Sequence, residues 1–128
     1  MAKHEVRTEA APQPAGAYSQ GIAAGGFLYT AGFGPQNPKT GEVAATVGEQ
    51  TAQVLRNIQA VLAEHGATLD DVVKSTVHLQ HLKRDFAEYN AAYEAFFSKP
   101  YPVRTTVGSD LYDILVEIDV VAKLPEDR

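Results

Sequence analysis

The sequence predicts an α+β domain in which a mixed β-sheet carries two helices on one face. Three patterns carry that expectation. Val47, Thr51, Val54, Leu55, Ile58, Val61 and Leu62 fall at helical spacing on one face, with Glu49, Gln53, Arg56 and Gln59 off it. A second stripe, Phe86, Tyr89, Tyr93, Phe96 and Phe97, is expected to face inward from a second helix. Ile114, Val116, Ile118, Val120 and Ala122 alternate with the period of a strand. Two helices cover one side of a sheet, so the other side needs a partner, and copies of the same chain would supply it. At 128 residues the chain is sized for one domain, 1–128, burying about two-thirds of the surface its unfolded form exposes.

In chain order, Lys3 to Thr8 alternates weakly and reads as an edge strand. Pro12 and Pro14 keep Ala10 to Gly16 irregular. Strands Ile22 to Ala24 and Phe27 to Ala31 flank a Gly25-Gly26 hairpin signal; Gly32-Phe33-Gly34-Pro35 ends the second, and Asn37 to Glu42 turns. Thr46 with Glu49 three residues on reads as a capping box for the first helix, and Gly66 as its stop. Val72 to Gln80 is a strand with Val73, Ser75, Val77 and Leu79 on one side. The second helix is expected from near Asp85 to a break at Pro100. Asn90, a polar amide in its aromatic stripe, needs a hydrogen-bond partner, either in packing or from a ligand. The polar tail from Lys123 to Arg128 is expected to fray.

The chemistry concentrates between Tyr101 and Ala122, in two strand-like runs separated by a polar turn. Arg104 stands in the first run, after Tyr101-Pro102-Val103. Glu117 stands in the second, on a face shared by Leu115, Asp119 and Val121. A face mixing aliphatics with carboxylates suits a subunit boundary or a cleft there. Charged groups are rarely buried unpaired. Either the two pair with each other across a hairpin, or Arg104 offers its planar fork to a ligand carboxylate.

Composition narrows the classes. The absence of cysteine excludes a disulfide framework, a thiolate nucleophile and a zinc–cysteine site. A net charge of -5, with 11 scattered basic residues, speaks against a nucleic-acid surface. No apolar run reaches membrane-spanning length, and Met-Ala-Lys-His-Glu-Val lacks the apolar core of a signal peptide, so no membrane partner and a cytoplasmic location are expected. His78 and His81, at odd spacing on a strand, face opposite ways, and a metal site needs three or four converging ligands, so both read as solvated and no metal is expected. Ala17-Tyr18-Ser19-Gln20-Gly21 is not followed by the helix that a nucleophile elbow requires, and Gly32-Phe33-Gly34 lacks the continuation of a P-loop. Tyr18, near Gly16 and Gly21, either packs as a loop aromatic or closes a small-ligand pocket.

The Tyr101–Ala122 stretch, the Gly16-Ala17-Tyr18-Ser19-Gln20-Gly21 segment, the Asn37-Pro38-Lys39-Thr40-Gly41-Glu42 turn and the Tyr93-Glu94-Ala95-Phe96-Phe97 helix end together resemble the RidA (YjgF) family of reactive-intermediate imine deaminases. The resemblance runs in order along nearly the whole chain. It implies a chorismate-mutase-like fold and a homotrimer with active sites between subunits. The implied reaction is hydrolysis of 2-imino acids, or their enamine tautomers, released by pyridoxal-phosphate enzymes, to 2-oxo acids and ammonia, with no cofactor. By the same resemblance Arg104 binds the substrate carboxylate, Glu117 orients the water and Tyr18 closes the site. Backbone near Gly32 and Thr106 meets ligand or water, and Phe33, Asn90 and Thr105 complete the expected substrate-binding set.

Three departures from the family pattern stand out. Thr106 replaces a cysteine common in the family, Ala31-Gly32-Phe33 replaces Ser-Gly-Gln, and Gly108 to Asp113 shortens a connection that usually holds a Leu-Pro pair. Thr106 keeps the backbone contact, whereas the other two bear on pocket shape and substrate preference. Two other classes compete with the deaminase. A non-catalytic trimeric ligand-binding or regulatory protein for small 2-oxo or amino acids would bind without turnover. RNA cleavage, a role attached to relatives, is opposed by the acidic balance.

Overall fold

The computed structural model describes residues 2–125. Strands β1 (His4–Val6), β2 (Gly21–Ala24) and β3 (Phe27–Thr30) lead to helix α1 (Val47–Ala63), strand β4 (Val72–Leu79), helix α2 (Leu82–Glu94), and strands β5 (Val103–Gly108) and β6 (Val116–Lys123). They form one six-stranded sheet in the order β1-β2-β3-β6-β4-β5. All neighbours are antiparallel except β4 and β5, which are parallel and joined through α2. The expected α+β architecture, two helices on a mixed sheet, is the one found. The edge strand and the irregular segment after it are where the alternation and prolines put them.

The core explains the strand alternation. Val116, Ile118, Val120 and Ala122 of β6 pack with Leu28, Val77 and Leu79 against Val54, Leu55, Ile58 and Leu62 of α1. Gly25 and Gly26 turn the β2–β3 hairpin at φ +61° and +86°, angles that cost little only without a Cβ. At the head of α1 the Thr46 hydroxyl accepts from the Glu49 N–H (3.2 Å), but the Glu49 carboxylate reaches that hydroxyl (3.1 Å) and not the Thr46 backbone. The capping box is therefore half closed. Glu88 of α2 supplies what is missing, its carboxylate accepting from the Gly48 N–H at 2.9 Å and placing a negative charge at the positive end of α1. Gly66 ends the helical segment at φ +71°.

Four expectations need correction. Val73 is exposed, because a bulge between Val72 and Lys74 shifts the β4 register and gives the inward place to Val72. Helix α2 starts at Leu82, three residues before the expected Asp85, and closes at Glu94, before Pro100. Phe86 is 40% exposed, whereas Tyr89, Tyr93 and Phe97, four residues apart, form the buried stack at centroid spacings of 5.8 and 4.4 Å. Lys123 belongs to β6 and so does not fray; residues 126–128 of the expected fraying tail lie outside the described residues. The topology also decides between the two readings of the charged pair. Strand β4 lies between β5 and β6, so Arg104 and Glu117 are not hairpin partners. Among the described residues the one ion pair within 4.0 Å is Arg84–Asp85.

Among the described residues no helix covers the other face of the sheet. Tyr29, Val121, Lys74 and Val103 are register partners in one row across it, and Tyr29 and Val103 are 46% and 66% exposed.

Candidate active site

Arg104 is built into the helix side of the sheet. Its register partner Ser75 is buried, so the alternation of β5 turns Arg104 and Thr106 toward α2 and leaves Val103, Thr105 and Val107 on the other face. The guanidinium carbon sits 4.8 Å from the Tyr93 ring centroid, 5.4 Å from Tyr89 and 5.9 Å from Phe86. Such contacts hold a cation by about 0.5–2 kcal/mol each while leaving its hydrogen-bonding edge free. Arg104 Nη1 donates to Asn90 Oδ1 at 2.8 Å, which answers the question posed by that amide in the stripe. The cage is itself fixed, with the Tyr93 hydroxyl 2.7 Å from Ser75 Oγ and the Tyr89 hydroxyl 3.3 Å from Thr106 Oγ1. Burial pushes both phenol pKa values up, against a smaller opposing pull from the Arg104 charge, so both rings stay neutral. A cleft of about 440 Å³ opens here, lined by Asn90, Tyr93, Glu94, Tyr101, Pro102 and Arg104. Arg104 has five N–H donors, and among the described residues none meets a carboxylate.

Glu117 lies on the opposite side. The β6 alternation buries Val116 and Ile118 and turns Glu117 to the bare face. Past β3, Phe33 makes a two-way backbone bridge with Ile118, at 2.8 and 3.1 Å, which brings Gly32 against Glu117. A Cβ at position 32 would lie 2.5 Å from Glu117 Oε2 and 2.9 Å from Cδ, so the glycine is what allows this approach. Glu117 then forms, with Tyr18, Gly32, Phe33, Tyr112 and Ile114, part of the wall of a cleft of about 600 Å³. Phe33 is 5% exposed and belongs to the core while also lining this cleft. Tyr18 is half exposed, its hydroxyl accepting from the Ala15 N–H at 3.1 Å. Gly32→Ala is expected to leave the melting temperature near wild type, since the position is exposed, and to lower turnover about tenfold or more by displacing the carboxylate. Thermal melts and kcat on the same preparation check it.

Three buried amides that the sequence reading passed over hold these segments. Gln20 accepts from the Thr8 N–H (2.7 Å) and donates to the Thr8 and Pro12 carbonyls (3.0 and 2.9 Å), tying down the loop before Tyr18. Asn57 donates to the Gly34 and Gln36 carbonyls, both at 3.0 Å, behind Gly32. Gln50 donates to the Ala44 carbonyl and accepts from the Leu115 N–H, both at 2.8 Å, just before Glu117. A signal existed for two of them. Gln50 and Asn57 continue the Val47, Val54, Val61 row of α1, and a polar residue in an apolar row is a buried one that must find partners.

His78 is the cross-strand neighbour of Glu117. Expected to be solvated, it is half-buried with Nδ1 2.6 Å from Ser109 Oγ. His81 is not on the strand but at the head of α2. Asp119, two residues on from Glu117, has its pKa raised by burial, with His78 and then Lys74 pulling the other way. The folded chain therefore holds that proton more tightly than the unfolded one. Stability linked to Asp119 is fully present below pH 3.8 and is lost as pH rises through the raised value. Asp119→Asn is expected to melt higher than wild type at neutral pH, with the difference closing as the pH drops below the unfolded value. Melting curves from pH 3 to pH 7, on the order of that titration range, test this.

The expected site residues thus fall into two groups. Arg104, Asn90 and Thr106 meet on the helix side; Tyr18, Gly32 and Phe33 meet around Glu117 at the other cleft; Thr105 joins neither. Fold and clefts define the class: a single-domain α+β protein with one cleft beside Arg104 and another beside Glu117, on opposite faces of one sheet. Residues 8–124 match the family described as Endoribonuclease L-PSP. A RutC family protein of Pyrococcus abyssi is 46% identical over 125 residues, covering 95% of this chain and 98% of that one. A 2-iminobutanoate/2-iminopropanoate deaminase of Escherichia coli (strain K12) is 41% identical over 122 residues, covering 91% and 94%. The crystal structure of RidA from the Antarctic bacterium Psychrobacter sp. PAMC 21119 superposes with a TM-score of 0.89 at 34% identity, covering 94% of this chain and 99% of that one. The chain belongs to this family, the YjgF/RidA family.

Proposed function

We propose that the protein hydrolyses reactive 2-imino acids to 2-oxo acids and ammonia, working as a homotrimer in the cytoplasm. The observation that carries the reading is Arg104: a guanidinium caged by aromatic rings, with one protein hydrogen bond and no carboxylate partner among the described residues. It is prepared for a ligand carboxylate in bidentate contact. Similarity to a relative named 2-iminobutanoate/2-iminopropanoate deaminase supports the substrate class.

Arg104 and Glu117 act on one substrate only if neighbouring subunits contribute one each, because within a chain they face opposite sides of the sheet. The bare face, with Tyr29 and Val103 exposed, supports packing between copies. With the substrate carboxylate on Arg104, Glu117 of the adjoining subunit directs a water onto the imine carbon. Glu117 takes one proton from the water and passes it to the imine nitrogen, giving a carbinolamine, then takes the carbinol O–H proton and passes it to the same nitrogen. The C–N bond breaks, ammonia leaves, and the carbonyl oxygen of the 2-oxo acid is the water's. Acid–base assistance of this kind contributes about a hundredfold to ten-thousandfold. The chemistry needs no electron sink, so metal and organic cofactor are not required. Nucleic acid and membrane are not partners in this reading, and no described helix is long and apolar enough to cross a membrane.

The test is the rate at which 2-oxo acid appears from an imino acid generated in situ by an amino-acid oxidase. Acceleration over the buffer rate is expected. No acceleration across several side chains, together with saturable binding of 2-oxo acids, would make the protein the ligand-binding member of the pair of readings.

A further inference from the structure

The lining of the cleft beside Glu117 extends well past the carboxylate itself. Its volume in one chain is about 600 Å³, and in the proposed trimer the adjoining subunit that brings Arg104 closes part of it. Besides Glu117 the lining includes Pro12, Tyr18, Tyr112 and Ile114. Tyr112 is 91% exposed, more than any other exposed large hydrophobic among the described residues. A ring so fully in water has no packing role within its own chain.

Its backbone is nonetheless held firmly. The Leu111 N–H donates to Gln80 Oε1 at 2.6 Å and the Leu115 N–H to Gln50 Oε1 at 2.8 Å, while the Ser109 N–H donates to the Leu79 carbonyl at 2.9 Å. Between these anchors Asp113 adopts φ +59°, the left-handed region that reverses the chain directly after Tyr112. The connection shortened in this sequence therefore presents one aromatic ring at the rim of the cleft from a fixed base. A tyrosine offers large contact area with only two side-chain torsions to immobilise.

Building on the deaminase reading, we infer that Tyr112 is a specificity-determining residue that favours imino acids with aromatic or large apolar side chains. A side chain long enough to leave the reaction centre covers the Tyr112 ring and Ile114. Offset or edge-on contact with an aromatic side chain adds to the area removed from water. A methyl or ethyl side chain ends short of the ring and gains nothing from it. Discrimination by apolar contacts of this size is about tenfold to two-hundredfold.

The experiment compares kcat/KM for the imino acids derived from phenylalanine and alanine in wild type, Tyr112→Phe and Tyr112→Ala. Sedimentation velocity is run on each variant. The ratio of phenylalanine-derived to alanine-derived kcat/KM is expected to fall about tenfold in Tyr112→Ala and to hold in Tyr112→Phe, with assembly unchanged. A ratio unchanged in Tyr112→Ala overturns the inference. So does a uniform loss with altered assembly, which would make the ring a contact between copies. If wild type processes neither substrate, the deaminase reading fails by itself. The inference is then decided by the relative affinity for phenylpyruvate and pyruvate, where Tyr112→Ala is again expected to erase the preference.

Discussion

Replacing Arg104 by alanine is expected to lower kcat/KM for 2-imino acids by about a hundredfold or more, mainly through KM. Removing one partner of a shielded, hydrogen-bonded charge pair costs about 2–5 kcal/mol, and about 1.4 kcal/mol is a factor of ten. The structure makes Arg104 well suited to such an effect. Its guanidinium carbon lies 4.8 and 5.4 Å from the Tyr93 and Tyr89 rings, and Asn90 fixes one corner at 2.8 Å, so the fork meets a carboxylate without first being ordered. Arg104→Lys separates charge from shape. It keeps the positive charge but loses the planar fork and its bidentate geometry, and should recover only part of the loss. Steady-state kinetics on both variants decide the matter; a kcat/KM for Arg104→Ala near that of wild type would remove the anchor from the mechanism.

Glu117→Gln should act on the other parameter. The amide has nearly the shape of the carboxylate, so the close approach of Gly32 is preserved and substrate still docks on Arg104. What disappears is the group that accepts the water's proton. A fall in kcat of about a hundredfold to ten-thousandfold with little change in KM is expected. If KM rises while kcat holds, Glu117 is a binding group and another residue must activate the water.

The sequence carried local information well and pairing information poorly. The first helix, the Gly25-Gly26 hairpin and the buried row of the last strand are set by short-range periodicity and backbone chemistry. All three were legible. Strand order was not. That β4 comes between β5 and β6 depends on contacts between distant segments, which no window along the chain contains, so a hairpin between Arg104 and Glu117 looked open until the topology excluded it. The bulge that turns Val73 outward has the same origin, because it is defined only against a partner strand. Phe86 misled because a stripe of aromatics has an end, and only the packed neighbours show which member lies beyond it. Of the site, Arg104, Asn90, Tyr18, Gly32 and Glu117 were all singled out beforehand. Phe33 lines the Glu117 cleft while packed into the core, and the amides that support the clefts were passed over as ordinary polar residues.

The placement of Arg104 and Glu117 on opposite sides of one sheet reaches beyond chemistry into inheritance. In the proposed trimer each chain lends its arginine to one junction and its glutamate to another. A chain damaged at one of these residues therefore still carries a sound copy of the other and spoils one junction of the two it enters. Two alleles, one lacking the anchor and one lacking the base, can between them assemble a ring with a working site. Alleles that share the same lesion cannot.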